Sequence, residues 1–382
     1  MQKRNISILN NYISIVLFCI YIFPSGLMNN GVLISKYLFL FSSILLYLID
    51  LIKNKEINLL EIIFISFILM YSFFSKNIEF LMLLTLPLLL RLIKYKQKIK
   101  KYLKESKFIY ICLLFTLIYS FIFHGFRGRY AFTAIKEINQ SGLAIFCLAC
   151  LLYFKNKKIG IVTFCFGMLT ISRSYYLAII ILIIYNRFIR NRINNDSRFI
   201  KLFNYKNCTI ITSLIFILLG SLYLYKYYNN EIIWEDNISK RLFNIFDASN
   251  FFRFTAVINL LNIIKLEPKF ILTGMSQYEY IKYGILSSSK LKIPYRYTVP
   301  HNLFFSHLKI YGFFSIFETI IISNIFNKLA NKENFGLFIG LILYNCFLGA
   351  GFYSYWIYLS TFLMIMYNGE DYHDKYIKKN NS

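Results

Sequence analysis

Long apolar runs separated by polar connections extend along almost the whole of this chain. About twelve of these runs have the length and composition of membrane-crossing helices. They are residues 6–23, 32–52, 57–74, 78–93, 108–123, 138–154, 159–171, 174–186, 207–225, 302–326, 335–350 and 354–368. This pattern predicts an all-α, polytopic membrane protein in which residues 1–382 form one integral membrane domain.

The composition and the distribution of charge support the same class. Hydrophobic residues make up 57% of the chain, far more than in a soluble domain. The net charge of +25 would suit a nucleic-acid partner, but the basic residues concentrate in alternate connections, above all 91–107 and 187–206. With the N-terminus inside, every strongly basic connection is cytoplasmic, as the positive-inside rule requires. The charge therefore predicts two cytoplasmic termini and contact with anionic lipids, and it argues against nucleic acid.

One connection is much longer than the others. Residues 226–300 form a loop of about 75 residues between the ninth and tenth predicted spans, and loops of that length are usually functional. By the same count of spans this loop is extracytoplasmic. Apolar residues at helical spacing predict an amphipathic helix at 249–266 near the membrane surface, ending at Pro268. Gly274 and Gly284 predict a turn-rich region after it.

A buried arginine is predicted between the two shortest spans. Segments 159–171 and 174–186 are too short to cross comfortably, so they are expected to form a hairpin with Ser172 and Arg173 at a sunken outer tip. An arginine at that depth is costly and is a candidate functional residue. The alternative is a structural arginine that caps helix carbonyls or reaches the lipid headgroups.

Further polar residues occur on the predicted outer side. Arg127 and Arg129 make one outer connection basic against the general trend, which suits either substrate binding or headgroup contact. His301 and Asn302 lie where the long loop enters an apolar helix, and there they could act on a substrate or start the helix. His307, further along, is expected to be a packed or hydrogen-bonded helix residue.

These motifs together resemble those of the O-antigen polymerase and ligase superfamily. The matching segments occur in the same order and on the same predicted side of the membrane. They are Ile171-Ser172-Arg173-Ser174, Arg253 with Glu267-Pro268 and Leu272-Thr273-Gly274, Pro300-His301-Asn302-Leu303-Phe304 with Tyr311-Gly312-Phe313, and, more weakly, Arg129 with Asn139-Gln140-Ser141-Gly142-Leu143-Ala144. The weaker motif lacks the family's proline. The resemblance covers roughly residues 110–350.

The resemblance implies a C-type glycosyltransferase-like fold in the bacterial inner membrane. Such polymerases join undecaprenyl-diphosphate-linked oligosaccharide repeats into O-antigen or capsular polysaccharide on the outer face. The donor and acceptor glycans, the lipid bilayer and a chain-length regulator would be the partners. The alternatives are an O-antigen ligase that transfers the glycan to lipid A-core and, outside the enzymes, a lipid-linked oligosaccharide flippase.

The candidate residues suit glycosyl transfer from a diphosphate. Arg173 and Arg253 could together clamp the leaving diphosphate, because a guanidinium forks onto phosphate oxygens and carries a permanent charge. His301 could orient or deprotonate the attacking hydroxyl, while Asn302 could cap the helix or bind sugar. Residues 24–31 contain no carboxylate and the acids of the long loop do not cluster, so neither a metal nor another cofactor is expected.

Overall fold

A computed structural model describes residues 31–54, 59–75, 78–93, 107–123, 138–193, 198–232, 248–296 and 300–348. Those residues are helical or in short connections, and no strand occurs among them, so the all-α prediction is confirmed for this part of the chain. The first and last predicted spans, Arg127 and Arg129 lie outside the described residues.

The first half of the described chain contains seven α-helices. They are α1 (Gly31–Asn54), α2 (Leu59–Ser75), α3 (Thr85–Leu92), α4 (Lys107–Phe123), α5 (Ile138–Lys155), α6 (Lys157–Gly167) and α7 (Arg173–Ile184). Shorter helical segments of other pitch precede α3, follow α6 and extend α7. They are Ile78–Leu84 and Met168–Thr170, both 3₁₀, then a π-helix Tyr185–Ile189 and a 3₁₀ turn Arg190–Arg192.

The second half contains eight α-helices. They are α8 (Arg198–Leu202), α9 (Tyr205–Tyr228), α10 (Ala248–Leu266), α11 (Phe270–Thr273), α12 (Gln277–Lys290), α13 (Leu303–Tyr311), α14 (Phe314–Leu329) and α15 (Phe335–Leu348). Helix α9 is the one described helix whose length and apolar character suffice to cross a membrane. Six other apolar segments reach 10–17 residues: Leu40–Ile52, Glu61–Phe73, Phe80–Leu92, Tyr110–Tyr119, Ser141–Tyr153 and Phe335–Cys346.

Helices α7 and α15 pack closely and run antiparallel. Gly336 of α15 allows this approach, because a Cβ there would lie 2.5 Å from the ring of Tyr185, whereas a Cβ on Gly340 would lie at an ordinary contact distance of 3.5 Å from the carbonyl oxygen of Ala178. The hydroxyl of Tyr185 also donates to the carbonyl of Lys332 at 2.8 Å. A small residue at position 336 therefore serves close helix contact.

The predicted span 302–326 is wrong as a single helix, because the chain breaks at Gly312. This glycine has φ +54 and ends α13, and α14 begins two residues later. Its backbone lies against the loop at Gly274, which has φ +63, and a Cβ on Gly274 would lie 2.1 Å from the carbonyl oxygen of Ile310. Only glycine accepts both the left-handed backbone and the close approach. The long loop is thereby fixed to the break between α13 and α14.

The described part of the long loop, residues 226–232, 248–296 and 300, is largely helical, and helix α10 packs along α9. Helix α10 confirms the helix predicted at 249–266, and it runs antiparallel along α9. The rings of Tyr223 and Phe254 stack with centroids 5.4 Å apart, and those of Tyr227 and Phe251 lie 5.2 Å apart. The helical packing of α10 on α9 therefore buries the apolar stripe read from the sequence.

The turn-rich region predicted around Gly274 and Gly284 is wrong for most of its length. A capping box starts α12: the Ser276 hydroxyl accepts from the Glu279 amide at 3.3 Å, and the Glu279 carboxylate accepts from the Ser276 amide at 2.8 Å. The side chain of Asn262 on α10 then donates to Ser287 on α12 at 2.9 Å. Helix α12 is therefore linked to α10, which itself packs on α9.

A buried charged cluster joins α1, α2 and α3. The guanidinium of Arg91 donates to Asp50 at 2.7 Å and to Glu61 at 2.6 and 3.3 Å, and it lies 5.0 Å from the ring centre of Tyr47. The hydroxyl of Tyr47 completes the cluster with a 2.8 Å bond to Glu61. Arg91 is the cationic partner of both acids, and two of its N–H groups donate to one oxygen of Glu61. The cluster therefore links three helices.

The break at Gly312 should be sensitive to a single methyl group. We expect Gly312→Ala to lower the thermal unfolding midpoint of the purified protein by several degrees. Alanine at positive φ costs roughly 1–2 kcal/mol, and its Cβ would lie 2.6 Å from the carbonyl oxygen of Ile271. Gly340→Ala is the matched control, since its Cβ would meet neighbours at 3.5 Å or more, and it should leave the midpoint unchanged. Equal midpoints for the two variants would contradict the assignment of Gly312 as a required break.

Candidate functional site

A tight turn joins α6 and α7 where the hairpin tip is predicted, and its backbone is strained, but α6 packs mainly on α5 and α7 mainly on α15. Ile171 has φ +48, a left-handed conformation that is unusual for a β-branched residue and costs of order 1–3 kcal/mol. Ser172 follows as a buried N-cap residue, and Arg173 is the half-buried first residue of α7. Two hydrogen bonds hold the turn, from Thr170 to the carbonyl of Gly167 and from Tyr176 to the carbonyl of Met168. The fold thus maintains a costly backbone beside the arginine that the sequence singles out.

Tyr344 of α15 places this tip. Its hydroxyl lies 3.4 Å from the Ser172 hydroxyl, and both side chains are buried. The same hydroxyl would lie 2.2 Å from a Cβ on Gly142, so α5 approaches it closely because residue 142 has no side chain. Helices α5, α7 and α15 therefore meet at Ser172. The sequence gives no sign of Tyr344, because its role depends on a contact 172 residues away.

Asn302 is a helix cap with three partners. Its side-chain oxygen accepts from the Phe305 amide at 3.2 Å and from the Ser213 hydroxyl at 3.2 Å, and its amide donates to Thr212 at 3.4 Å. The side chain is fully buried. The capping role that the sequence left open for Asn302 is confirmed, and the contacts fix the start of α13 on α9. His301, half-buried, is held directly ahead of that cap.

The tip and the His-Asn junction are both connected to the C-terminal part of α15, but through different faces of that helix. Tyr344 contacts Ser172, and two residues later the thiol of Cys346 lies 3.9 Å from the hydroxyl of Thr209 on α9. Thr209 is one helical turn from Ser213, which bonds Asn302. A continuous set of contacts thus connects two motifs that are well over a hundred residues apart in sequence.

Arg253 lies on α10, which packs along α9 beyond the position of Asn302. It is half-buried on α10, and the carbonyl of the next residue, Phe254, packs on Gly220. Gly220 is eight residues beyond Thr212, or about 12 Å along an α-helix. The fold therefore places the backbone of Arg253 roughly two turns from Asn302, so that its side chain would meet the other candidates only through an extended substrate.

None of the known family models, curated proteins or solved structures matches this chain. The motif resemblance therefore stays a prediction, and function must be argued from the residues themselves.

The described residues include no group of three or more histidine, cysteine, aspartate or glutamate side chains arranged to hold a metal ion. Metal independence stays a prediction, because acidic residues also occur outside the described part of the chain. Arg173 is the first residue of α7 at the tip. Its guanidinium can therefore neutralise an anionic group bound there.

Sequence reasoning missed one buried polar pair. His307 of α13 and Glu318 of α14 hydrogen-bond through Nδ1 and Oε2, and each residue is only 1% exposed. The expectation that His307 is a bonded helix residue is confirmed, but its partner was not identified. The available signal was a lone acid inside an apolar run, which is expensive unless paired. The pairing could not be read from the apolar run, because the two residues meet only when the chain breaks at Gly312. In an unbroken helix they would lie several turns apart.

Proposed function

We propose that this protein is a membrane glycosyltransferase that polymerises undecaprenyl-diphosphate-linked oligosaccharide repeats into O-antigen or capsular polysaccharide. The observation that carries the proposal is that both motifs are anchored on the C-terminal part of α15, the Ser172–Arg173 tip through Tyr344 and the His301–Asn302 junction through Ser213 and Thr209 of α9. A strained turn presenting an arginine and a capped helix presenting a histidine supply the two kinds of group that the transfer needs.

The chemistry follows from the charges that change during transfer. The glycosidic bond to the diphosphate breaks and negative charge grows on the leaving oxygen, where the guanidinium of Arg173 stabilises it, while Arg253 holds a more distant part of the extended substrate. The Ser172 hydroxyl helps to hold the phosphate or the tip. His301 orients or deprotonates the attacking hydroxyl of the acceptor glycan. No metal is required, because the arginines provide the neutralising charge.

Exposed apolar stripes support insertion in the membrane as a polytopic protein with about twelve spans. On α4 the exposed residues recur at helical spacing, with Ile111, Phe115, Ile118 and Ile122 each between 56% and 63% exposed. Such stripes are costly in water and suit lipid. With the charge distribution, they favour a bacterial inner-membrane location with both termini cytoplasmic and the long loop outside. A chain-length regulator would be a membrane partner at the growing glycan.

The runner-up is an O-antigen ligase, which would use the same donor chemistry and transfer to lipid A-core. A second candidate of another class is a lipid-linked oligosaccharide flippase. The buried His307–Glu318 pair favours this second candidate, since transporters use ionisable pairs inside the membrane. No repeat symmetry in the sequence accompanies the pair, so the transferase remains the leading proposal.

Deleting the gene and separating the cell-surface glycan by gel electrophoresis distinguishes the three functions. We expect lipid A-core carrying a single repeat, because chain extension is lost while donor supply and ligation continue. Full-length polymer that is not attached to lipid A-core would contradict the polymerase and indicate the ligase. Loss of all outer-face repeats would indicate the flippase. Complementation with the intact gene controls for effects on neighbouring genes.

A further inference from the structure

The His307–Glu318 pair is built like an oriented general base. An ionised Glu318 accepts a hydrogen bond from Nδ1–H of His307. In the neutral imidazole this tautomer leaves the lone pair on Nε2. The ring of Tyr311 packs edge-on against the imidazole, with centroids 5.3 Å apart, and so restrains its rotation.

The second nitrogen of this imidazole is unsatisfied. Among the described residues, His307 Nε2 is buried and has no hydrogen-bond partner, and the hydroxyl of the preceding Ser306 is in the same condition. Leaving a buried polar atom without a partner costs about 1–3 kcal/mol. A structural tie between helices would need only the Nδ1 bond. The unsatisfied Nε2 therefore suits a ligand that bears a hydroxyl group.

The pair is close in sequence to the helix break, but the long loop packs on another face of α13. The Met275 amide donates to the carbonyl of Lys309 at 2.6 Å, and Gly274 rests on Ile310. Met275 belongs to the same apolar cluster as Phe305, whereas His307 lies one turn from Leu303 and from Tyr311, which belong to the main core. A movement of α13 with the attached loop segment would therefore bring a glycan hydroxyl to Nε2.

We propose that His307 is the catalytic base of the transfer, that Glu318 is its positioning residue, and that His301 orients the acceptor. This inference rests on the proposed glycosyl transfer. The acceptor hydroxyl loses its proton to Nε2 of His307 as its oxygen bonds to the anomeric carbon. The bond from that carbon to the diphosphate oxygen breaks, and its electron pair leaves with the diphosphate. Glu318 stabilises the resulting imidazolium, which returns its proton to solvent or to the departing diphosphate.

The variant His307→Gln distinguishes a catalytic base from a residue that only links α13 to α14. Glutamine can still donate to Glu318 and preserve the link between α13 and α14, but it cannot accept a proton. We expect the rate of transfer by the purified full-length protein to fall by about 10²–10⁴-fold. Donor binding and the thermal midpoint should stay near those of the wild type. A variant that transfers glycan within a few-fold of wild type would overturn the assignment and leave the pair as a tie.

Glu318→Gln tests the positioning role through a double-mutant cycle. Alone it should slow transfer, and combined with His307→Gln it should add almost nothing, because Glu318 acts through His307. If the double variant lost activity by the product of the two single rate reductions, the positioning role would be overturned. Wild-type protein that transfers no glycan would overturn the proposed function itself, whereas active wild type with an active His307→Gln variant would overturn only the dyad.

Discussion

Arg173→Lys is expected to lose nearly as much activity as Arg173→Ala. Lysine keeps the positive charge, but it is a point charge and cannot fork onto two phosphate oxygens. The strained Ile171 and the buried Ser172 fix where the side chain of residue 173 begins, so a lysine cannot compensate by a shift of the backbone. Removing one such contact from a transition state costs roughly 10²–10³-fold in rate. The expected loss is measured as the initial rate of glycan transfer from a lipid-linked donor.

Arg190→Lys is the matched control for this substitution. Arg190 forms an ion pair with Glu333, far along α7 and its extension from the tip, and about 40% of its side chain is exposed. The same exchange there should leave transfer unchanged, because lysine can keep an exposed ion pair that contributes little. A near-normal rate for Arg173→Lys would reduce Arg173 to a general positive charge and contradict the diphosphate clamp.

His301→Ala and His301→Gln are expected to differ strongly. If His301 orients the acceptor while His307 takes the proton, glutamine preserves a hydrogen bond and most of the activity, whereas alanine loses about 10²-fold or more. Both variants should fold, since Asn302 and its contacts with α9 hold the start of α13. Single-turnover rates and thermal midpoints measured together separate chemistry from folding.

An inactive His301→Gln variant beside an active His307→Gln variant would reverse the roles of the two histidines. His301 would then be the base and the buried pair a structural tie. The three single histidine substitutions, His301→Ala, His301→Gln and His307→Gln, together identify which histidine accepts the proton.

Helix positions could be predicted from the sequence where long apolar runs decide them. The run at 207–225 corresponds to α9 at Tyr205–Tyr228, and the run at 108–123 corresponds to α4. The break at Gly312 could not be predicted, because the apolar pattern continues across it and the left-handed backbone depends on contact with Gly274. Helix α12 was predictable from Ser276 and Glu279, whose spacing forms a capping box, but the nearby glycines suggested turns instead.

The candidate site was partly predictable, because some of its residues carry local signals in the sequence. Ser172, Arg173 and Asn302 were found from local signals: a polar tip between short apolar segments, and a cap residue at the start of a helix. Tyr344 and Glu318 were missed because each matters only through a partner on another helix. The distance of Arg253 from Asn302 depends on how α10 packs along α9, which the sequence pattern does not specify.

The most direct test of the account is a reaction containing only the purified protein in a bilayer and one undecaprenyl-diphosphate-linked repeat unit, without added metal and with excess chelator. The account predicts a ladder of lipid-linked glycans longer by whole repeats, with one undecaprenyl diphosphate released for each glycosidic bond formed. Unchanged single repeats, in the presence of intact and folded protein, would contradict it. A ladder that appears only after magnesium or manganese is added would contradict the arginine-based mechanism.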